Sequence, residues 1–202
     1  MSNVDRPFGA RVARSGLVAP YNAAFTQYKA DADRSDVNGF GNIYPGDFVT
    51  LEADGNVAPA ASGDVILGVV MAAGPSDDTD HGRGSAYSAD DKGVDRYLPA
   101  DREGVVWVID DPNIVVMIQE DATDDASALG DADRGETVNI TATAGESHGS
   151  TFSSQSTVEI DSASDTDTAT DLILLDIVDQ EDNEFGAHAK WLARIANHYY
   201  NQ

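Results

Sequence analysis

Cysteine, lysine and long apolar runs are the features that this chain of 202 residues lacks or almost lacks. It contains no cysteine, and its 12 lysine and arginine residues face 36 aspartate and glutamate residues. Only Lys29, Lys92 and Lys190 are lysines. Without cysteine the chain has no disulfide, no thiolate metal site and no cysteine nucleophile. Stability must therefore come from packing, from the solvent or from assembly.

The shortage of positive charge predicts the solvent in which the protein folds. A formal net charge of -24 destabilises a compact state through self-repulsion when salt is scarce. At about 1 M salt the Debye length falls to roughly 3 Å, and carboxylates spaced over a surface hardly interact. We therefore expect a protein of an extreme halophile. The alternative, a disordered acidic chain, is disfavoured by apolar segments, two tryptophans and the even spread of charge.

The missing basic stripe and the missing apolar runs also limit the partners that we expect. An acidic surface repels nucleic-acid phosphates and anionic lipids. No apolar run approaches the roughly 20 residues of a membrane span, and the first residues lack the apolar core of a signal peptide. The sequence therefore predicts a soluble protein, made in the cytoplasm, that binds neither nucleic acid nor membranes.

Short β-branched segments bounded by turn residues dominate the chain after residue 43. The Asp54-Gly55 pair predicts a β-hairpin, because glycine tolerates the positive φ of a tight turn. A second hairpin is expected at the 110–113 turn. For residues 187–199 a strand with alternating inward residues is preferred over a helix. We predict an all-β fold, a short-stranded barrel or sandwich. The expected strands are 47–52, 56–60, 65–71, 104–110, 114–120, 137–141, 157–161 and 172–178.

Residues 1–42 differ from this β-rich body, residues 43–202, because they are rich in arginine and aromatic residues and poor in periodic signals. We interpret them as an extended N-terminal arm that lies on an acidic surface of its own chain or of a partner. The alternative is an ordinary first strand with a frayed end. Within the body, residues 74–95 and 143–170 are expected to be acidic surface loops, and strands 137–141 and 157–161 to be exposed. Residues 122–135 are expected to form one short helix with Ala126, Ala128 and Leu129 inward.

No pattern in the sequence indicates catalysis. The histidines (His81, His148, His188 and His198) have no metal-ligand spacing, and no nucleophile elbow, P-loop or dinucleotide fingerprint is present. The acidic clusters at 77–80 and 165–167 offer oxygen ligands for calcium or magnesium, but neither has the glycine and closing glutamate of a calcium loop. We expect no enzyme activity, no cofactor and no specific metal site.

Three segments in order resemble a family of tailed-phage virion proteins. They are residues 5–11 (DRPFGAR) with 19–22 (APYN), residues 104–119 around WVIDDP, and residues 174–198 (LLDIVDQEDNEFGAHAKWLARIANH). The segments GDFV at 46–49, DGNV at 54–57 and ILGVV at 66–70 are similar to a pattern of capsid decoration and cement proteins. Residues 74–95 and 143–170 diverge from the resemblance.

The resemblance implies a structural virion protein with a β-tulip-like body that binds the outside of an icosahedral tailed-virus capsid. The acidic composition makes the host a haloarchaeon. The implied partners are the major capsid protein and further copies of the chain, in a homotrimer. A vertex turret or head-fibre component and a haloarchaeal ligand-binding or adhesion β-module remain alternatives. The capsid-binding arm is predicted to use Arg6, Pro7, Phe8, Gly9, Arg11 and Arg14.

Overall fold

Two antiparallel sheets organise the protein. The computed structural model describes residues 3–14, 25–32, 34, 41–75, 97–142, 149–150, 155–164 and 170–201, and no helix among them is long and apolar enough to cross a membrane. The strands are β1 (Arg11–Arg14), β2 (Thr26–Ala30), β3 (Phe48–Leu51), β4 (Val57–Pro59), β5 (Gly68–Pro75), β6 (Gly104–Ile109), β7 (Val115–Gln119), β8 (Thr137–Ile140), β9 (Gly149–Ser150), β10 (Gln155–Ser156), β11 (Ile160–Asp161), β12 (Leu172–Ile177) and β13 (Lys190–Ile195).

The strand order places early and late parts of the chain side by side. The six-stranded sheet has the order β1-β7-β13-β12-β8-β11, the five-stranded sheet has the order β2-β6-β5-β3-β4, and β9 pairs with β10. The helical content of the described residues is confined to three 3₁₀ turns at Asp131–Asp133, Ser162–Ser164 and Tyr199–Asn201. The all-β prediction is confirmed.

The two sheets pack against each other around one large apolar core. Phe48 and Val69 from the five-stranded sheet join Val116, Ile118 and Trp191 from the six-stranded sheet in one buried cluster. A second cluster covers the other face of the five-stranded sheet. Because alternate residues on a strand face opposite sides, a sheet that is buried on both faces needs apolar residues at nearly every position. Residues 65–70 (VILGVV), which precede and enter β5, are apolar at nearly every position.

Two local predictions are confirmed. The Asp54-Gly55 turn joins β3 to β4, with Leu51 opposite Val57, and Gly55 has a φ of 89°. The segment 187–199 contains a strand, β13, in which Trp191, Ala193 and Ile195 are buried.

The predicted second hairpin is wrong. Strand β6 pairs with β2 and β5 in one sheet, whereas β7 pairs with β1 and β13 in the other. The turn between them is formed as expected, since Asn113 N donates to Asp111 Oδ1 at 2.9 Å and Ile114 N donates to Asp111 O at 3.0 Å. This turn carries the chain from one sheet to the other, because both edges of β6 are already occupied.

The predicted helix at residues 122–135 is also wrong. The Asp124 carboxylate accepts hydrogen bonds from Ala126 N and Ser127 N at 3.0 and 2.9 Å, a local turn that competes with a helix. Only Asp131–Asp133 form a 3₁₀ turn. Leu129 is buried as expected, whereas Ala126 is exposed.

The divergent segments are partly built into the body. Strands β8 and β11 pair with each other, and Val138, Ile140 and Ile160 are buried. The expectation that these two strands are exposed is therefore wrong. Ser156, within the expected surface loop 143–170, is completely buried. Of the loop at 74–95, Gly74 and Pro75 belong to β5, and the rest lies outside the described residues.

Candidate docking surface

The described parts of residues 1–42 lie on the body of the same chain. β1 pairs with β7 at one edge of the six-stranded sheet, and β2 pairs with β6 at one edge of the five-stranded sheet. Arg11–Arg14 therefore form an ordinary first strand, which was the alternative to an extended arm. Arg34 is buried and donates to the carbonyl oxygens of residues 31, 98, 99 and 102, so it stabilises a loop.

Side-chain hydrogen bonds hold the segment before β1 in place. Asn3 Nδ2 donates to Glu184 O at 2.8 Å and to Ala187 O at 2.9 Å. Gln119 Nε2 donates to Val4 O at 3.2 Å, and Arg6 N donates to Gln119 Oε1 at 3.4 Å. These contacts fix residues 3–6 across one end of the six-stranded sheet.

Gly9 is the point at which this segment enters the body. It has a φ of 67°, and a Cβ atom added there would lie 2.4 Å from Ser156 Cβ. The next residue, Ala10, is buried and donates from its backbone N to Gly46 O at 2.8 Å. Only glycine fits this close approach with a left-handed backbone. The structure thus gives Gly9 a folding role.

Phe8 lines two grooves at this end of the molecule. The Arg11 guanidinium lies over the Phe8 ring at 4.5 Å from its centroid, a cation–π contact. A groove of about 680 Å³ between the sheet edges is lined by Phe8, Val12, Phe25 and Met71, and the last two are 60% and 47% exposed. The other groove, of about 460 Å³, is lined by Arg6, Pro7, Phe8, Arg11, Met117, Gln119 and Lys190 among others.

The outer face of the six-stranded sheet continues from the second groove. Arg11 stands opposite Met117, and Met117 stands opposite Leu192. Residues directly opposite in a sheet share a face, and alternation along β13 places Lys190 and Arg194 on the same side as Leu192. Arg11 and Arg194 are exposed, whereas Met117, Leu192 and Lys190 are partly exposed. We call these five residues with Arg6 the cationic face.

The cationic face contrasts with the rest of the molecule. Four of the chain's 12 basic residues lie on it, although the chain as a whole has three carboxylates for each cation. Two carboxylates lie near these cations: Asp182 Oδ2 is 3.4 Å from Lys190 Nζ, and Asp176 stands opposite Leu192 and pairs with Arg134. The apolar side chains of Met117 and Leu192 lie between the cations. Partly exposed apolar groups beside four cations suit a partner that carries acidic residues next to its own apolar surface.

Buried carboxylates lie in the core rather than at an open cleft. Burial raises the pKa of Asp47 to about 7, although its Oδ2 accepts from Tyr44 N at 2.7 Å. Burial also raises the pKa of Glu120 to about 7, and its carboxylate accepts from Leu129 N at 2.8 Å and Trp191 Nε1 at 3.5 Å. Their partners are mainly backbone N–H groups, which indicates a structural role.

The predicted site residues are only partly brought together. Arg6, Pro7, Phe8 and Arg11 line one groove, Gly9 is buried beneath it, and Arg14 pairs with Val115. Sequence reasoning missed Lys190, Leu192 and Arg194. The signal was the alternation in KWLARI, which assigns these three to the face opposite the core residues.

Of the histidines and acidic clusters named in the sequence analysis, the structure describes only His188 and His198. His198 is buried with 1% exposure, and its ring centroid lies 5.7 Å from that of Tyr200. His188 belongs to a cluster treated below. His81, His148 and the acidic clusters at 77–80 and 165–167 lie outside the described residues.

Comparison of the chain with models of known protein families, with curated proteins and with solved structures finds no match.

Proposed function

We propose that this chain is a structural protein of a haloarchaeal tailed virus, which binds the outside of the icosahedral capsid and stabilises the shell. The observation that carries the proposal is the cationic face, an apolar and basic surface on a chain of net charge -24. A capsid built for the same salt has an acidic exterior, to which such a face is complementary. The resemblance of residues 5–11, 104–119 and 174–198 to virion proteins supports the same function.

At high salt, apolar contacts contribute more to binding the partner than exposed ion pairs do. At molar salt an exposed ion pair contributes almost nothing, because screening acts over about 3 Å. Arginine pairs with carboxylates retain strength when apolar neighbours exclude water, and Met117 and Leu192 flank Arg11 and Arg194 in that way. The cationic face therefore acts as an apolar contact with charged edges.

Assembly multiplies a modest contact. We propose that the chain forms a homotrimer on the capsid, so that three cationic faces bind at once and the effective affinity exceeds that of one chain. The major capsid protein is the partner, and the virion surface is the location. In this proposal the chain needs no active site, no nucleic acid and no membrane.

Charge reversal on the cationic face tests the proposal. Purified capsids that lack this chain are mixed with native protein, with Arg194→Glu and with Leu192→Asp in molar KCl, and bound protein is measured after sedimentation. We expect either substitution to weaken binding by about tenfold or more, since loss of a central contact costs over 1 kcal/mol. Lys29→Glu, on exposed strand β2 of the other sheet, is the matched control.

Electron microscopy of the same mixtures separates the related functions. Density at many equivalent positions on the shell supports a cement protein, and density at the vertices alone supports a turret or head fibre. Equal capsid binding by native protein and by both face variants would refute the docking surface. The absence of native protein from the capsid would refute the function itself.

A further inference from the structure

Asp5, Glu159 and His188 converge from three separate parts of the chain. Asp5 belongs to the segment before β1, Glu159 precedes β11, and His188 lies just before β13. One ligand atom from each residue lies within 4.8 Å of the other two, and His188 Nδ1 is 4.0 Å from Asp5 Oδ1. No local pattern in the sequence indicates this cluster, because its members are separated by 154 and 29 positions.

Two of these atoms are sealed from solvent and have no hydrogen-bond partner. They are Glu159 Oε1 and His188 Nδ1. A buried polar atom without a partner is unfavourable, and two residues of one cluster that each carry such an atom call for a ligand. Two of the three residues in this cluster are carboxylates, whose negative charge a cation would offset.

The donor types indicate which cation fits. An imidazole nitrogen with two carboxylate oxygens suits zinc and its neighbours in the transition series, whereas calcium and magnesium prefer oxygen alone. Ligand atoms about 2.1 Å from a shared ion lie within roughly 4.2 Å of one another. The Asp5 side chain is 66% exposed, so its rotation can close the remaining gap.

We propose that Asp5, Glu159 and His188 bind one divalent transition-metal ion of the zinc type. The ion joins the N-terminal segment to the body, beside the hydrogen bonds that Asn3 makes to residues 184 and 187. Remaining coordination positions are open to water on the side of Asp5. The site is structural, and it does not depend on the proposed binding to a capsid.

Titration with zinc tests the site. Native protein is stripped of metal by a chelator and titrated with Zn²⁺ in molar potassium nitrate, since chloride would itself bind zinc. We expect one equivalent to bind and to raise the thermal unfolding midpoint. Glu159→Gln and His188→Asn should weaken binding by about tenfold or more. Asparagine is chosen because His188 has a φ of 59°, which asparagine tolerates.

Two controls make the result specific. His81→Ala removes an imidazole elsewhere in the sequence and should leave the affinity unchanged. Co²⁺ should give visible absorption bands in native protein that are lost in His188→Asn, a readout that does not depend on stability. The inference is overturned if native protein binds no zinc, if His188→Asn binds it as tightly as native protein, or if Ca²⁺ binds equally well with and without the imidazole.

Discussion

Asp47 makes stability fall as pH rises, in a range where most proteins are insensitive. Its side chain is completely buried, and burial raises its pKa from an ordinary value of 3.8 to about 7. The folded protein therefore holds a proton that the unfolded chain has already released. This contribution is fully present below pH 3.8 and is lost as pH rises through 7. The sign is the opposite of that for a carboxylate in an ion pair.

The magnitude follows from the size of the shift. One proton of difference changes the free energy of unfolding by about 1.4 kcal/mol per pH unit. Between pH 5 and pH 7 the Asp47 contribution falls by about 2.3 kcal/mol, because the slope halves as pH reaches the folded pKa. Glu120 has a similarly raised pKa and adds a slope of the same sign. Asp47 and Glu120 together should thus contribute a slope approaching two protons between pH 5 and 6.

Urea unfolding in molar KCl at several pH values between 5 and 7 measures that slope. Asp47→Asn should reduce the slope by about one proton, whatever its effect on stability at a single pH. Glu120→Gln should do the same, and Asp179→Asn, at an exposed position, should not. If Asp47→Asn retains the native slope, the buried carboxylate is ionised in the folded state and the reasoning fails.

Two further results are expected. Gly9→Ala should destabilise the fold by about 3 kcal/mol in urea unfolding, from a left-handed backbone and overpacking together. Gly55→Ala, where a Cβ atom would meet nothing within 4 Å, should cost only about 1 kcal/mol, and equal losses would contradict the steric argument. Lowering salt from about 1 M to 0.1 M should remove β-structure measured by circular dichroism, because repulsion then extends over roughly 10 Å. An unchanged spectrum would refute the halophilic interpretation.

Local patterns in the sequence were sufficient for strands and tight turns. The Asp54-Gly55 turn and the alternation in β13 depend only on neighbours along the chain, and both were predicted correctly. The sheet that the chain enters after residues 110–113 was not predicted correctly. A turn sets a change of chain direction, but it does not determine with which strand the next segment pairs. Whether β7 pairs with β6 depends on the edges that β2 and β5 already occupy. That information is distributed over the whole chain.

The docking surface and the metal cluster differ in how far the sequence could reveal them. Leu192 and Arg194 alternate with core residues, so the prediction of a strand at this segment is sufficient to place them on its outer face. Arg11 joins them only through the pairing of β1 with β7 and of β7 with β13. For Glu159 and His188 no local signal exists, because the topology alone brings them together.

The placement of the N-terminal segment changes how its role can be tested. Ala10 belongs to the core, and β1 covers the edge of β7, so removal of residues 1–16 would expose an apolar edge rather than delete a free arm. Loss of capsid binding by such a truncation would then follow from unfolding as readily as from a missing contact. Phe8 stacks on Arg11 at the edge of the cationic face, and both side chains lie outside the core. Substitutions there separate contact from folding, which truncation cannot do.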